Sequence, residues 1–247
     1  GSAIPKEIPG LHEVNAVDAA GVHPLLFAIG SERYTPYLKE KKPQEILTIA
    51  NHILGKSQLS LAKYLFISSK EDDPSLKTSD ISGFIKHILE RIDLSRDLHF
   101  YTRTTIDTLD YSGTDINAGS KLVVAAAGEK KRSLWTELPD SFVLPRPFDR
   151  FKMVMPGVLA LEAPSFLSHE QTESEIAILN SALASANLDG LPLFIVCDDA
   201  GFVAKTITNF VWVSFTRSNP SHDIYGINSF TEHKHWGCRG PLIIDAR

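Results

Sequence analysis

The chain repeats itself, and a chain that repeats must build one unit twice. Arg91-Ile-Asp-Leu-Ser-Arg-Asp-Leu98 reads against Arg217-Ser-Asn-Pro-Ser-His-Asp-Ile224 without a gap, with Arg, Ser and Asp in register at an offset of 126. At the same offset Ile81, Phe84, Ile85 and Leu89 map onto Ile207, Phe210, Val211 and Phe215, the i, i+3, i+4, i+8 spacing of an apolar helix face. Asp80 and Thr206 stand just before these helices, where a side-chain oxygen is wanted by the free N–H groups of the first turn.

Upstream, Leu65-Phe-Ile67 matches Leu193-Phe-Ile195 as a strand. An earlier helix recurs as well, with one stripe of Ile46, Ile49, Ala50, Ile53 and Leu54 and another of Ile176, Leu179, Leu183 and Ala184. Each copy opens on an apolar segment, Pro24 to Ile29 or Val154 to Leu161, and closes on Gly119-Ser-Lys-Leu-Val-Val124 or Gly240-Pro-Leu-Ile-Ile244. The unit is strand, helix, strand, helix, strand, with a last strand. Such alternation predicts an α/β fold, a layered α/β/α arrangement around a mixed sheet, built from two related repeats. Leu138-Pro-Asp-Ser-Phe-Val-Leu-Pro-Arg-Pro147 carries three prolines and marks the connector, so the repeats are placed at 11–140 and 148–247.

Composition narrows the function classes. With 43% hydrophobic and 22% charged residues the chain has a globular balance. The net charge is −5 and neither half is basic, which removes the electrostatic footprint of a nucleic-acid binder. No apolar run approaches the roughly 20 residues of a membrane span. Two cysteines, Cys197 and Cys238, argue for a reducing compartment, with the cytoplasm as the default. Gly1-Ser2 reads as a cloning scar, and the chain as an excised fragment.

No dinucleotide-binding glycine fingerprint, P-loop or nucleophile elbow is present. Cys197-Asp198-Asp199 follows a strand, where two carboxylates either bind a metal or act as acid and base; the plainer reading is that they bond loop N–H groups ahead of a helix. His233, His235 and Cys238 are soft-metal ligand types in a spacing that matches no common zinc pattern, so a metal-dependent enzyme on this loop stands as a weaker alternative. Arg91 with Asp97 and Arg217 with Asp223 recur, which favours the same structural role in both copies. Lys56 and Lys63 flank the approach to the first copy's strand, either to hold a phosphate or as solvated surface lysines.

Phe194-Ile-Val-Cys-Asp-Asp-Ala200 with Asn209, Trp212, Thr216-Arg217, Pro220 and Asp223 resembles the C-terminal signature of the UbiD-like decarboxylases, which include 3-polyprenyl-4-hydroxybenzoate decarboxylase. Val22-His-Pro-Leu-Leu-Phe-Ala-Ile-Gly30, Gln58-Leu-Ser-Leu-Ala-Lys-Tyr-Leu-Phe66 and the run Asp97 to Tyr111 are similar to a longer branch of that family. The resemblance implies reversible decarboxylation of aromatic or α,β-unsaturated acids on prenylated FMN, with a divalent metal (Mn or Mg) and K at the cofactor phosphate. It also implies a preceding split-barrel domain carrying the catalytic carboxylates, a glutamate pair among them. Glu40 to Glu45 has that pair's spacing but lies in a Lys-Pro-Gln run leading into a helix, and no catalytic role is carried onto it. Lys56 falls where some members place a lysine on the cofactor phosphate, which makes it the one cofactor-binding candidate. The expectation is that this chain is the C-terminal region, without a catalytic residue or metal ligand of its own, binding little or no cofactor alone. It would pack against the barrel and build a homo-oligomer; the alternative is a pure assembly or scaffolding module.

Overall fold

The computed structural model describes residues 7–21, 23–34 and 37–247. Gly1-Ser2 and Val22 of the motifs above therefore lie outside the described residues. The first repeat contains β1 (Leu11–Ala16), β2 (Leu25–Gly30), α1 (Glu45–Leu54), β3 (Tyr64–Ser69), α2 (Ile81–Arg91), β4 (Leu98–Thr104) and β5 (Gly119–Ala126). The second contains β6 (Arg150–Met155), β7 (Val158–Glu162), α3 (His169–Leu183), β8 (Leu193–Cys197), α4 (Ala200–Lys205), α5 (Ile207–Thr216), α6 (Pro220–Asp223) and β9 (Ile224–Gly226). A hairpin of β10 (Ser229–Glu232) and β11 (His235–Cys238) then intervenes before β12 (Leu242–Asp245).

The two sheets have the same strand order, β1-β2-β3-β5-β4 and β6-β7-β8-β12-β9. In each, three central strands run parallel between antiparallel edges. The duplication is thus a duplication of topology, and it produces two sheets instead of one merged sheet. Local chemistry repeats with it. Asp80 accepts from Gly83 N at 3.0 Å and Thr206 from Asn209 N at 3.0 Å, capping α2 and α5 at equivalent positions. Asp97 accepts from Asp93 N at 2.9 Å and Asp223 from Asn219 N at 2.6 Å, again one bond drawn twice.

The layers follow from which strand faces are apolar. Leu26, Ala28, Leu65 and Val123 meet α1 on the outside of the first sheet, and Leu159, Leu161, Phe194 and Ile243 meet α3 on the outside of the second. The inner faces of both sheets close on one continuous core that holds α2, α4 and α5. The result is five layers, helix, sheet, helices, sheet, helix, with the middle layer shared. Phe215 of α5 meets Tyr64 edge-on at 4.9 Å and Phe66 at 5.6 Å, so a second-repeat ring is seated in the first repeat's sheet. Burying a ring of this size is worth roughly 1.5–3 kcal/mol.

Some boundaries differ from the pattern reading. Val154 to Leu161 is the β6–β7 hairpin, turned at Gly157 with φ +79°, where the expectation was one segment. Ala184 is the exposed cap after α3 and does not join the stripe. The edge strands β1 and β6 carry polar residues on their open faces and gave no clear apolar signal. The proline-rich connector is packed, with Leu144 and Phe148 buried against the outside of the second sheet.

Candidate functional site

The parallel strands of the first sheet begin beside a buried polar cluster. Lys63, just ahead of β3, is fully buried and holds Asp110 at 2.8 Å, with further donation to Ser112 Oγ at 2.7 Å and Thr216 O at 3.3 Å. Its three N–H groups are all engaged, so neither the solvated reading nor the phosphate reading of this lysine survives. Burial depresses its pKa, and the Asp110 carboxylate opposes that shift. Lys121, on β5, donates to Ser60 O at 2.7 Å and Ala62 O at 2.6 Å, and burial pushes it down to about 8. Next to them Tyr64 Oη bonds Ser218 Oγ at 2.6 Å, and Ser120 Oγ bonds the Asn219 side chain while accepting from Ser221 N at 2.8 Å. The cluster stitches the first repeat's strand starts to the residues after α5 of the second.

Lys56 is placed differently. It lies in the turn between α1 and β3, its side chain 41% exposed and its ammonium paired with Glu7 at 2.7 Å. A half-exposed lysine with one exposed partner exchanges partners readily, because such pairs are worth about 1 kcal/mol or less.

A cavity of about 740 Å³ opens where the first sheet's strands begin and the second sheet's strands end. Its walls include Pro24, Leu109, Tyr111 and Trp212, with His23 and Arg217 as polar groups. His23 bonds the Asp107 carboxylate, while Arg217 reaches Asp198 at 3.0 Å and lies over the Trp212 ring at 5.7 Å. A largely apolar pocket with a few convergent polar groups is the usual form of a small-molecule site. Lys56 does not line it.

The other residues singled out in the sequence fall into structural roles. Asp199 caps α4 by accepting from Phe202 N at 2.8 Å, and Asp198 takes Arg217, so the pair does not converge on a shared ligand. His233 sits in the β10–β11 turn, 93% exposed, whereas Cys238 is buried with its thiol pushed up to about 12 by burial. His235 packs its ring against His99 at 5.7 Å. The metal reading of His233, His235 and Cys238 fails on this geometry, and among the described residues no three His, Cys, Asp or Glu side chains are grouped to hold a metal. Arg91 and Arg217 do not share one role: Arg91 is buried and donates to Gly128 O at 3.1 Å, while Arg217 is half-exposed and ion-paired. Glu40 pairs with Lys131 at 3.1 Å and Glu45 accepts from Arg33 N at 2.5 Å, two separate tasks.

Three participants escaped the sequence reading. Lys121 had a signal, the one charge in the strand segment Gly119 to Val124. Asp110 had none beyond its place in the Asp97 to Tyr111 run. Glu32 is buried and accepts from Gln44 N at 2.8 Å, Glu45 N at 3.0 Å and Ile46 N at 3.2 Å, so its carboxylate closes the start of α1.

Residues 1–126 match the family model of the 3-octaprenyl-4-hydroxybenzoate carboxy-lyase C-terminal domain, UbiD_C. The chain belongs to this family. Across 98% of its length it is 31% identical to a 4-hydroxybenzoate decarboxylase component of Chlamydia pneumoniae, covering 38% of that protein. An uncharacterized protein of Chlamydia trachomatis is also 31% identical, with the same 98% and 38% coverage. The chain thus spans well under half the length of these curated relatives. Among solved structures it is similar to vanillic acid decarboxylase of Sedimentibacter hydroxybenzoicus in closed form, at 15% identity and a TM-score of 0.42, over 72% of this chain and 30% of that one. The family's match ends at Ala126, yet the second repeat has the same strand order as the matched first.

Proposed function

We propose that this chain is the C-terminal part of a UbiD-like carboxy-lyase that reversibly decarboxylates aromatic or α,β-unsaturated acids with prenylated FMN. In this reading the units 11–140 and 148–247 complete the fold and the homo-oligomer, against a split-barrel domain that carries the proton-transferring carboxylates. The family match over residues 1–126 is the observation that carries it. The alignment to a decarboxylase component over 98% of the chain and 38% of that relative supports a larger parent protein.

The described residues fit one edge of such a cofactor and no more. Lys56 offers an exposed ammonium to a phosphate, and it stands outside the apolar cavity that has room for a ring system. No step of the reaction is therefore assigned to residues of this chain, and the divalent metal and K belong with the rest of the protein. Lys56 is the proposed contact to the cofactor phosphate.

The test compares the full-length protein with the 247-residue chain, each loaded with prenylated FMN and offered a panel of aryl and acrylic acids. The full-length protein decarboxylates at least one; the chain alone does not. In the full-length protein Lys56→Ala weakens cofactor binding about tenfold, the usual worth of one charge-assisted contact. Turnover by the isolated chain would refute the division of labour. A full-length protein that assembles but binds no flavin would favour the scaffolding reading.

A further inference from the structure

The strands of the first sheet leave their sheet above a second cavity, of about 750 Å³, at the carboxyl ends of β3 and β5. Open α/β sheets bind ligands at this end of their parallel strands. Four lysines, Lys39, Lys41, Lys130 and Lys131, line it, and Arg91 is one of its walls.

Arg91 is buried, and its guanidinium is held in place by backbone. Nε donates to Gly128 O at 3.1 Å and Nη1 to His87 O at 3.2 Å, with Glu90 Oε2 at a weak 3.5 Å. Nη2 takes no hydrogen bond among the described residues and is not one of the enclosed unpaired atoms, and the residue lines this cavity as well as a smaller one of about 300 Å³ beside α2. The second repeat shows what this position does when it is filled from within. There Arg217, 126 positions on, takes the Asp198 carboxylate at 3.0 Å. By the strand alignment Lys70 stands where Asp198 does, so the first repeat puts a cation in place of the internal anion.

The acids in the wall are already committed. Glu71 accepts from Glu32 N and Ser69 Oγ, each at 2.9 Å, Asp72 accepts from Gly128 N at 2.8 Å, and Glu40 holds Lys131. Glu129 alone makes no hydrogen bond or ion pair among the described residues. On the other side of the balance Lys39 and Lys41 form no ion pair there. From this arrangement we infer that the cavity is a binding site for a small organic phosphate, held between Arg91 in its wall and the lysine rim. A volume of about 750 Å³ accommodates a nucleotide-sized ligand. The inference is independent of the decarboxylase reading.

The experiment is calorimetric titration of the full-length protein with pyrophosphate as probe. Wild type binds, with affinity that falls as salt rises. Lys70→Asp, which gives the first repeat the second repeat's internal anion, weakens binding at least tenfold while the protein keeps its thermal stability. Arg91→Gln does the same; because Arg91 is buried, the exposed Lys39→Glu serves as the variant that cannot be dismissed as unfolding, and it weakens binding several-fold. Lys205→Gln, an exposed lysine of the second repeat, leaves binding unchanged. No binding by wild type would overturn the inference. So would binding that survives Lys70→Asp and Lys39→Glu but is lost in Lys56→Ala, or citrate that displaces pyrophosphate at equal affinity.

Discussion

Asp110→Asn removes the only carboxylate that touches the buried Lys63 among the described residues. The ammonium keeps Ser112 Oγ and Thr216 O but loses its contacting counter-charge in a buried site, with only the more distant Asp223 carboxylate still acting on it. Two routes to the magnitude agree. Breaking a buried ion pair by removing one partner costs about 3–5 kcal/mol. The ceiling is set by the lysine's alternative, which is to lose its proton: deprotonating a group of ordinary pKa 10.5 at pH 7 costs about 5 kcal/mol. The loss is therefore about 3–5 kcal/mol, or roughly 6–20 °C in Tm for a chain of this size. The double variant Lys63→Met, Asp110→Leu removes both charges together and recovers most of it, ending within about 1–2 kcal/mol of wild type. Urea unfolding at pH 7 of wild type, both single variants and the double variant gives the coupling directly. In Asp110→Asn stability should also recover as pH climbs from 7 towards 10.5, where only the unfolded lysine still binds a proton. A single variant that loses less than about 1 kcal/mol, or a double variant as damaged as the sum of the singles, would refute the view that this pair is a desolvated clasp.

Lys121 has a folded pKa of about 8 against 10.5 unfolded, with only Asp110 opposing the effect of burial, so stability rises with pH between those values by about 3 kcal/mol; Lys121→Met flattens that rise in a Tm series from pH 7.5 to 10.5. Burial first and the Arg91 charge next push His87 down to about 4, against Asp73 and Glu90. Its neutral form is favoured when folded, so stability is full above pH 6.5 and is lost as pH falls towards 4, by about 3 kcal/mol; His87→Leu, which also removes an unpaired buried Nε2, reduces the acid sensitivity seen by circular dichroism. Asp80→Ala and Thr206→Ala each cost about 1 kcal/mol in urea unfolding, equal within error because the same cap is drawn at equivalent places; a large inequality would mean the two helix starts are not equivalent.

What the sequence made legible was whatever repeats. Asp80 and Thr206, Asp97 and Asp223, and the stripes of α2 and α5 were readable because each was seen twice at one offset and fell on a period a helix or turn imposes. The unread parts lack that support. β1 and β6 are edge strands with one face open to water, so their pattern is diluted by residues such as Glu13, Arg150 and Lys152. Lys63 and Lys121 are misleading in a different way: charged residues beside a strand are usually solvated, and only the tertiary packing of Asp110, the Ser57–Leu61 turn and the residues after α5 encloses them. Their burial depends on segments 40 and more positions away, which no local window contains.

The two copies part company where the fold stops constraining them. A duplicated unit can keep its caps and its core only if both copies need them, and the shared middle layer ensures that they do, since Phe84 and Phe210 are fully buried in one core. The loops after the strands are under no such constraint. Lys70-Glu71 and Asp198-Asp199 follow equivalent strands, yet Arg91 is anchored mainly on backbone oxygens while Arg217 takes a loop carboxylate. Exchange of Lys70 and Asp198 is therefore the substitution pair that tests the proposed phosphate site apart from the fold. Lys70→Asp should leave the first repeat's packing intact, because Lys70 makes no ion pair among the described residues. Asp198→Lys should set the Arg217 side chain free at the edge of the junction cavity, and costs about 1 kcal/mol or less because that pair is half-exposed. Larger losses of stability in either variant would show that the loops, too, are held by the fold.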